Sequence, residues 1–313
     1  MKNNKDRIEV LFSGGFDSTF MLCLLARTKN VTIQPYYLDI RRHIRNEERR
    51  AVRNILAALH KKQDLKAKIL PVKIVNPDFF VPSCDVEQAW RKFKDKPYVI
   101  GGQQRYLAEF AKVHPGICWG QERYLETPGH MTRLLLDKGN WKFTDDGVGY
   151  FTKEDCDPDV FLLFGNLTAP IAKYSEPMMW EKVKEWGYED VFRHIRFCYY
   201  PMDGKPCGMC LPCQVKLKQK MDFLFTKDAI LRGNVMRDLI TNENVVQRSM
   251  DFDFGKRKNF FTVSELFMMY QNPVVKKDLL RGVVGKDDSM LLEIENMIGL
   301  YIDYFDGLLN KYK

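Results

Sequence analysis

The first candidate for chemistry along the chain is the stretch Ser13-Gly14-Gly15-Phe16-Asp17-Ser18. It follows a short apolar run, residues 8–12, and precedes a segment with helical spacing of apolar residues, 19–27. A glycine-rich turn between a strand and a helix directs backbone N–H groups to one point beside the positive helix end, which suits a phosphate. The glycines allow close approach, and the two serines add hydroxyl donors. The alternative is a turn of the same composition that binds no ligand.

This loop differs from the commonest phosphate-binding loops. Asp17 would repel a phosphate, so we expect it to hold a magnesium ion or to fix the loop. The Gly-Lys-Ser/Thr ending of a Walker loop is missing, which disfavours transfer of a γ-phosphate. The stretch resembles the SGGxDS pyrophosphate loop of the N-type ATP pyrophosphatases (PP-loop enzymes), which adenylate a carbonyl oxygen and release pyrophosphate. The resemblance implies that residues 13–18 bind ATP, with Ser13, Asp17 and Ser18 as catalytic residues.

A second cluster consists of four cysteines with the spacing C-x8-C-x2-C-x2-C: Cys198, Cys207, Cys210 and Cys213. Tight turns that bear glycine and proline bring four thiolates together, as in the closed all-cysteine sites of structural zinc. The alternatives are two disulfides or buried free thiols, and the lack of a secretory signal weakens the first. A redox role for one pair is less attractive because four cysteines cluster rather than two.

Together the two motifs resemble the 7-cyano-7-deazaguanine synthase family over roughly residues 7–220. In that family a Cys-Tyr pair precedes a Cys-Gly-x-Cys-x-x-Cys run, as at Cys198-Tyr199 and residues 207–213 here. The resemblance places the adenosine of ATP at Leu38 and Asp39, after the second strand. It also leads us to expect a lysine near the start of a later helix, where this chain has Glu176.

The resemblance implies an ATP-dependent carbon–nitrogen ligase that uses Mg²⁺ and a structural Zn²⁺. The substrates would be 7-carboxy-7-deazaguanine and ammonia, and the product would be 7-cyano-7-deazaguanine. One alternative is a related adenylating ligase that acts on RNA or on a different carboxylate. Another is a non-catalytic interaction protein that retains the fold.

The segments that must position these residues alternate between strand and helix. Short apolar runs predict strands over residues 8–12, 31–38, 68–74 and 116–119, and helical spacing predicts helices over 46–60 and 103–114. This alternation predicts an α/β fold, a Rossmann-like parallel sheet with helices on both faces. Ligands then bind at the carboxyl ends of the strands, where residues 13–18 lie.

We expect two domains, a PP-loop domain with the zinc segment over residues 1–220 and a helical C-terminal extension over 221–313. In the extension, apolar residues at spacings of three and four over 288–313 predict an amphipathic helix. We favour packing of this helix on its own domain, with a homo-oligomer as the alternative.

Composition narrows the class of protein. The 313 residues are 45% hydrophobic, enough for one large core, and no apolar run is long enough for a membrane span. The net charge of +8 comes partly from arginines of residues 41–53, where acidic residues interrupt them, so a nucleic-acid partner is not favoured. Residues 1–7 carry no apolar signal segment, and we expect a cytoplasmic protein.

Overall fold

A computed structural model describes residues 7–40, 45–76, 78, 80–94, 97–98, 100–123, 130–202, 204–241, 307 and 310 of the chain. The chain divides into two compact units, Met1–Arg196 and Phe197–Lys313. The first unit contains the sheet and residues 13–18, and the second contains the four cysteines.

The first unit is built on a parallel sheet. Its strands are β1 (Arg7–Leu11), β2 (Thr32–Leu38), β3 (Lys68–Ile69), β4 (Lys73–Val75), β5 (Ile117–Cys118) and β8 (Leu167–Thr168), and a separate antiparallel pair is formed by β6 (Lys142–Phe143) and β7 (Gly149–Tyr150). The order is β3-β2-β1-β5-β8, with β4 also paired to β2, and every pair in this sheet is parallel. The prediction of an α/β fold with a parallel sheet is confirmed.

The strand predicted over residues 68–74 is interrupted in the structure. It forms two short strands, β3 and β4, on either side of residues 70–72, and both pair with β2. Pro71 lies in the interruption and has no N–H to donate to a neighbouring strand. The side chain of Gln34 bridges the interruption, because its Nε2 donates to the carbonyl oxygen of Pro71 at 2.9 Å.

Helices connect the strands. They are α1 (Phe16–Thr28), α2 (Arg45–Leu59), α3 (Cys84–Phe93), α4 (Gln103–Val113), α5 (His130–Leu134), α6 (Pro158–Phe164), α7 (Glu176–Trp186), α8 (Glu189–Phe192), α9 (Leu211–Lys218) and α10 (Lys227–Thr241). A π-helical turn spans Leu135–Gly139, and a 3₁₀ turn spans Asp222–Leu224. Local chemistry sets several boundaries: Asp157 caps α6 by accepting from the backbone N of Asp159, and Gly187 ends α7 in the left-handed region at φ 66°.

Buried side chains pack against both faces of the sheet. Leu11 and Tyr36 belong to a buried cluster that also contains residues of α3, α4 and α6. Val10 and Tyr37 alternate with them along the strands and are buried as well. Because successive side chains of a strand point to opposite faces, both faces of the sheet are covered.

The strand order places a topological switch between β1 and β5. The chain leaves β1 through α1 to reach β2 on one side, whereas β5 pairs with β1 on the other side. Since the strands are parallel, residues 12–13, 39–40 and 119–121 all follow carboxyl ends at one edge of the sheet. Crevices at such a switch are where open α/β sheets bind ligands.

Part of the predicted extension lies outside the described residues. Of residues 221–313 the structure describes 221–241, Gly307 and Asn310, so the amphipathic helix over 288–313 stays a prediction, as does the domain boundary at residue 220. Within the described part of the chain, no helix combines the length and the apolar character needed to cross a membrane.

The packing of α1 generates a stability prediction. Phe20 is fully buried, and its ring stacks on Trp186 at 5.3 Å between centroids. Phe20→Ala should lower the free energy of unfolding by about 3–5 kcal/mol, because it removes buried area and leaves a cavity. Leu136→Ala, at a residue that is 57% exposed, should change it by no more than about 0.5 kcal/mol. Urea denaturation of both variants would test this, and equal losses would contradict it.

Candidate functional site

The turn after β1 has a backbone that requires glycine. Gly14 has φ 75°, in the left-handed region, and a Cβ there would lie 3.2 Å from the backbone N of Val52 and 3.3 Å from the Cβ of Ala51. Gly15 is extended and forms the N-cap of α1. The chain therefore turns sharply from β1 into α1 and presents the first N–H groups of the helix at the carboxyl edge of the sheet.

The hydroxyl groups of the loop hold its shape. Thr19 Oγ1 donates to the carbonyl oxygen of Gly15 at 2.7 Å, and the backbone N of Thr19 donates to the same oxygen at 3.0 Å. The hydroxyls of Ser13 and Ser18 lie 3.2 Å apart. Ser13 is exposed, whereas Ser18 is buried. These contacts bring the two predicted serines to the same side of the turn.

Two other segments of the chain contact the loop and hold its position. The backbone N of Arg196 donates to the carbonyl oxygen of Gly14 at 2.7 Å. Gly120, just after β5, packs so closely that a Cβ there would lie 2.9 Å from the backbone N of Ser18 and 3.2 Å from the Cβ of Asp17. The backbone after β5 therefore lies directly against the start of α1.

Three carboxylates come together beside this loop. One oxygen each of Asp17, Glu122 and Glu176 lies within 4.8 Å of the others, which is close enough for all three to ligate one ion. Glu176 is the first residue of α7 and is 4% exposed. The backbone N of Arg123 donates to the carbonyl oxygen of Tyr174 at 2.8 Å, so the segments that carry the two glutamates are joined. Like charges at such distances repel one another by about 4 kcal/mol per pair at an effective dielectric constant of about 20.

A cavity of about 310 Å³ opens in front of the loop. Its walls come from the turn after β1, the ends of β2 and β5, and α4 and α5: Leu11, Phe12, Ser13, Gly15, Asp17, Ser18, Tyr36, Leu38, Ile40, Gln103, Gln104, Leu107, Trp119, Gly120, Gln121 and Met131. The side near the loop is polar, and much of the remaining wall is apolar. The volume falls in the range of small-molecule sites.

Three residues that were predicted to bind ATP, Leu38, Asp39 and Phe16, differ from one another in what their side chains contact. Leu38 lines the cavity, as does Ile40. Asp39 lies between them in the sequence. This residue is only 7% exposed, and its carboxylate forms an ion pair with Arg49 on α2. The ring of Phe16 packs edge-on against Phe192 at 5.2 Å, so the backbone of Phe16 is its contribution to the loop.

Two residues that line the cavity each carry a buried polar atom without a hydrogen-bond partner. Among the described residues, neither Gln104 Oε1 nor Trp119 Nε1 has a hydrogen-bond partner. The two residues are 3% and 5% exposed. A buried polar group without a partner costs stability, so such atoms call for an explanation.

Tyr36 also lines the cavity, and its hydroxyl is held by the half-buried carboxylate of Glu9. It donates to Glu9 Oε1 at 2.9 Å, and His114 Nδ1 lies 2.6 Å from Glu9 Oε2. Burial tends to raise the pKa of Glu9, but the hydrogen bonds from His114 and Tyr36 outweigh it and lower the pKa. Burial, with the hydrogen bond to Glu9, raises the pKa of Tyr36. The ring of Tyr36 is therefore a neutral part of the wall at physiological pH.

In the second unit, the structure brings the four cysteines together. All four thiols are buried and none is in a disulfide. The Sγ atom of Cys210 lies 3.8 Å from that of Cys198 and 3.3 Å from that of Cys213, which is 3.9 Å from that of Cys207. A tetrahedral zinc site with Zn–S bonds of about 2.3 Å has S–S edges of about 3.8 Å, whereas a disulfide measures about 2.05 Å.

Backbone N–H groups around the cluster donate hydrogen bonds to its sulfur atoms. The backbone N of Cys210 donates to Cys207 Sγ at 3.3 Å, and that of Cys207 donates to Cys198 Sγ at 3.2 Å. Gly208 has φ 84°, and a Cβ there would lie 1.9 Å from the carbonyl oxygen of Ala229. Hydrogen bonds from the neighbouring thiols, first that of Cys198, lower the pKa of Cys207.

The remaining cysteines do not form a second cluster. Burial raises the pKa of Cys118 to about 11 and that of Cys156 to about 11 as well. Burial likewise raises the pKa of Cys23. These three thiols stay protonated at neutral pH and behave as apolar core residues.

Sequence reasoning located the loop and the cysteines but did not assign Gln104, Trp119, Glu122 or Glu176 to the site. A signal was present for two of them, because Trp119 and Glu122 follow the predicted strand over 116–119 and so belong to the ligand-binding edge. Glu176 is distant in sequence from every other site residue, and only the fold brings it to Asp17.

Comparison of the chain with protein-family models and with curated proteins gives no match.

The contact between Gly120 and the loop generates a second prediction. Gly120→Ala should lower the free energy of unfolding by about 1–3 kcal/mol, because the new methyl group overpacks a backbone that cannot retreat. Gly101→Ala is the matched control, since a Cβ there meets only the Cγ of Gln103 at 3.9 Å. NMR of the amides of residues 13–18 should show shifts for Gly120→Ala alone. Unchanged loop amides in Gly120→Ala would refute the contact.

Proposed function

We propose that the cavity is the active site of an ATP-dependent ligase of the PP-loop type on a Rossmann-like fold. The observation that carries the proposal is the loop of residues 13–18, which joins β1 to the start of α1 at the switch point beside three clustered carboxylates. Loops of this geometry hold phosphates with backbone N–H groups and a helix dipole. No Lys follows the glycines, which separates the site from the Walker type.

The loop would hold the pyrophosphate part of ATP. Ser13 and Ser18 have hydroxyls at the same side of the turn, and Gly14 and Gly15 leave room for phosphate oxygens. In this arrangement, fixed donors surround the charge that develops on departing pyrophosphate, and they need no rearrangement during the reaction. Leu38 and Ile40 supply apolar wall at the end of β2, where the adenosine would lie.

The three carboxylates fit a divalent cation. Asp17, Glu122 and Glu176 offer oxygen ligands close together in a partly buried place, and Mg²⁺ prefers oxygen ligands and is often shared with phosphates. Bound there, Mg²⁺ would neutralise charge on the phosphates and reduce the repulsion among the carboxylates. In the related family a lysine is expected where this chain has Glu176. A glutamate at that place would act on phosphate through a metal ion instead of directly.

The reaction proposed begins with attack of a carboxylate oxygen of 7-carboxy-7-deazaguanine on the α-phosphorus of ATP, which releases pyrophosphate. Ammonia then attacks the acyl carbon, AMP leaves, the nitrogen loses a proton, and an amide forms. A second ATP adenylates the amide oxygen with release of pyrophosphate, and loss of AMP and of the two N–H protons yields the nitrile. Activation is needed because a carboxylate is a poor electrophile with oxide as its leaving group. The chain would contribute mainly positioning and electrostatic stabilisation.

One observation favours a second candidate, a related adenylating ligase that acts on a different carboxylate, including one on RNA. Glu176 stands where the resembled family has a lysine, so the charge of the site differs from that expected for that family. The products from ATP would be the same for both candidates. Comparing pyrophosphate release with 7-carboxy-7-deazaguanine and with other carboxylates separates them.

The four cysteines of the second unit would hold a structural Zn²⁺. Their S–S distances of 3.3 to 3.9 Å and their backbone N–H donors fit a closed tetrahedral thiolate site. Four protein ligands leave no open position, so zinc would stabilise this unit and would not take part in the reaction.

The proposed reaction predicts the products from ATP. With Mg²⁺, 7-carboxy-7-deazaguanine and ammonium, the protein should convert ATP to AMP and pyrophosphate, measured by anion-exchange chromatography. Asp17→Asn should lower turnover about 100-fold or more, since it removes a charged ligand of the Mg²⁺ that would neutralise the phosphates. Glu181→Gln changes an exposed carboxylate on α7 and should leave turnover unchanged. Release of ADP and phosphate, or no nucleotide binding at all, would refute the proposal.

The proposed zinc site predicts how much zinc the purified protein contains. The purified protein should contain about one zinc per chain by elemental analysis, and Cys210→Ser should lose it together with much of its thermal stability, because metal binding contributes directly to folding. Cys84→Ser, at an exposed free cysteine, should retain both. Absence of zinc with the four thiols oxidised to disulfides would show that this interpretation is wrong.

A further inference from the structure

Helix α2 carries three arginines on its solvent-exposed side. Arg45, Arg50 and Arg53 are all exposed, and together they are called the basic face. Successive residues of an α-helix are rotated by about 100°, so these three lie within about 140° of one another around the helix axis. They therefore share one side of the helix.

The glutamates of the same helix do not neutralise the basic face. In the sequence, Glu47 and Glu48 interrupt the arginines, a pattern typical of a charge-balanced helix surface. In the structure Glu48 is 7% exposed, and its Oε2 accepts from the hydroxyl of Tyr37 at 2.8 Å. Glu47 is half-buried, and its Oε2 is shielded from solvent. Within residues 45–59 no acidic side chain is exposed, so the outer side of α2 is positive.

The charges of the basic face are also uncompensated. In the part of the chain that the structure describes, none of its three guanidinium groups forms an ion pair or a hydrogen bond. On α7, by contrast, Lys182 pairs with Glu185 at 2.8 Å and Lys184 pairs with Glu181 at 2.7 Å. Positive charge that is concentrated on one side of a helix and lacks partners favours binding of a polyanion.

The basic face begins near the cavity. Arg49, on the same helix, forms an ion pair with Asp39, whose neighbours in the sequence line the cavity. The inner side of α2 packs on the loop of residues 13–18, where a Cβ at Gly14 would lie 3.2 Å from the backbone N of Val52. The arginines on the outer side therefore extend along the surface from the edge of the sheet that carries the candidate site.

The composition of this surface indicates the class of partner. The other exposed residues of α2 are Asn46, Asn54 and Ala57. A protein partner needs apolar or aromatic contacts at the centre of the interface, and a membrane surface needs apolar side chains to insert. Arginine and asparagine side chains are instead typical of contacts to phosphate and sugar. The surface therefore favours a nucleic acid.

We propose that the basic face of α2 binds the sugar–phosphate backbone of an RNA. Guanidinium groups bind phosphate through two parallel hydrogen bonds and stay charged at physiological pH. The amides of Asn46 and Asn54 both donate and accept, which matches the 2′-hydroxyl of RNA. The choice of RNA over DNA rests also on the second candidate under the proposed function, a ligase whose substrate includes RNA.

The test uses full-length chain in which the basic face is neutralised by Arg45→Gln, Arg50→Gln and Arg53→Gln together. Glutamine is a good helix former, so α2 should persist. The probe is a fluorescein-labelled RNA stem-loop, titrated by fluorescence anisotropy at several salt concentrations without ATP. Binding at low salt should weaken about 10-fold or more, and the slope of log K against log salt should fall by about 2, because each phosphate contact contributes about 0.7 to 0.9.

A matched control removes the same net charge elsewhere. Arg91→Gln, Lys182→Gln and Lys184→Gln together neutralise three helix cations that are each paired with a glutamate. This variant should bind the RNA as the unaltered protein does. Equal weakening in both triple variants would show that net charge alone matters, and it would overturn the proposal.

A conservative variant separates RNA binding from loss of folding. Changing Arg45, Arg50 and Arg53 to lysine keeps the charge, so it should restore most of the salt dependence, with weaker binding because an ammonium group lacks the paired donors. Thermal melting midpoints of the glutamine and lysine variants should match that of the unaltered protein, since all three side chains are exposed.

Other polyanions test the assignment to RNA. A DNA stem-loop of the same sequence and polyglutamate should both bind the unaltered protein more weakly than the RNA, because neither offers a 2′-hydroxyl. Equal or tighter binding of the DNA overturns the assignment to RNA. Equal or tighter binding of polyglutamate overturns it in favour of an acidic polypeptide.

Failure of this proposal differs from failure of the proposed reaction, because RNA binding is measured without ATP. Loss of RNA binding in the glutamine variant of the basic face, but not in the control, supports the proposal even if the protein forms no AMP. Absence of RNA binding by the unaltered protein overturns it even if AMP and pyrophosphate are formed.

Discussion

The parallel pairing of β1 with β2 on one side and β5 on the other is the constraint on which the site depends. It places the residues after all three strands at one edge, so the turn at Gly14 and the segment at Gly120 meet. The contact is tight: a Cβ at Gly120 would lie 2.9 Å from the backbone N of Ser18. Glycine at both positions follows from this geometry, because one turn is left-handed and the other has no room for a side chain.

Electrostatics explains why the loop and the carboxylates belong together. The start of α1 offers N–H donors and the positive end of a helix dipole, while Asp17, Glu122 and Glu176 add negative charge a few ångströms away. The carboxylates would repel an anion that bound alone, and without a cation they repel one another. In the proposed function, a phosphate accompanied by a divalent cation would satisfy both the helix end and the carboxylates, and the cavity beside them would leave space for the organic part of the ligand.

The cysteine cluster solves a different problem in the second unit. A short segment with tight turns has little apolar area of its own, so four buried thiols bring its turns together with α9. Gly208 permits the left-handed turn and the close approach to Ala229 that this packing requires. The cluster is therefore best explained as a structural part of this unit. The polar and charged side chains suited to a reaction line the cavity of the first unit.

The sequence by itself determined the local features: the strand, turn and helix around Gly14, the cysteine spacing, and the alternation that predicts a parallel α/β sheet, because each depends on residues close together in the chain. It did not show the break at Pro71, the helix over Cys84–Phe93 or the short strand Leu167–Thr168. Only the tertiary structure brought Glu176 to Asp17 and placed Gln104 and Trp119 on the wall of one cavity. Such contacts join residues far apart in sequence, and the order of strands in the sheet, not any local pattern, decides which of them meet.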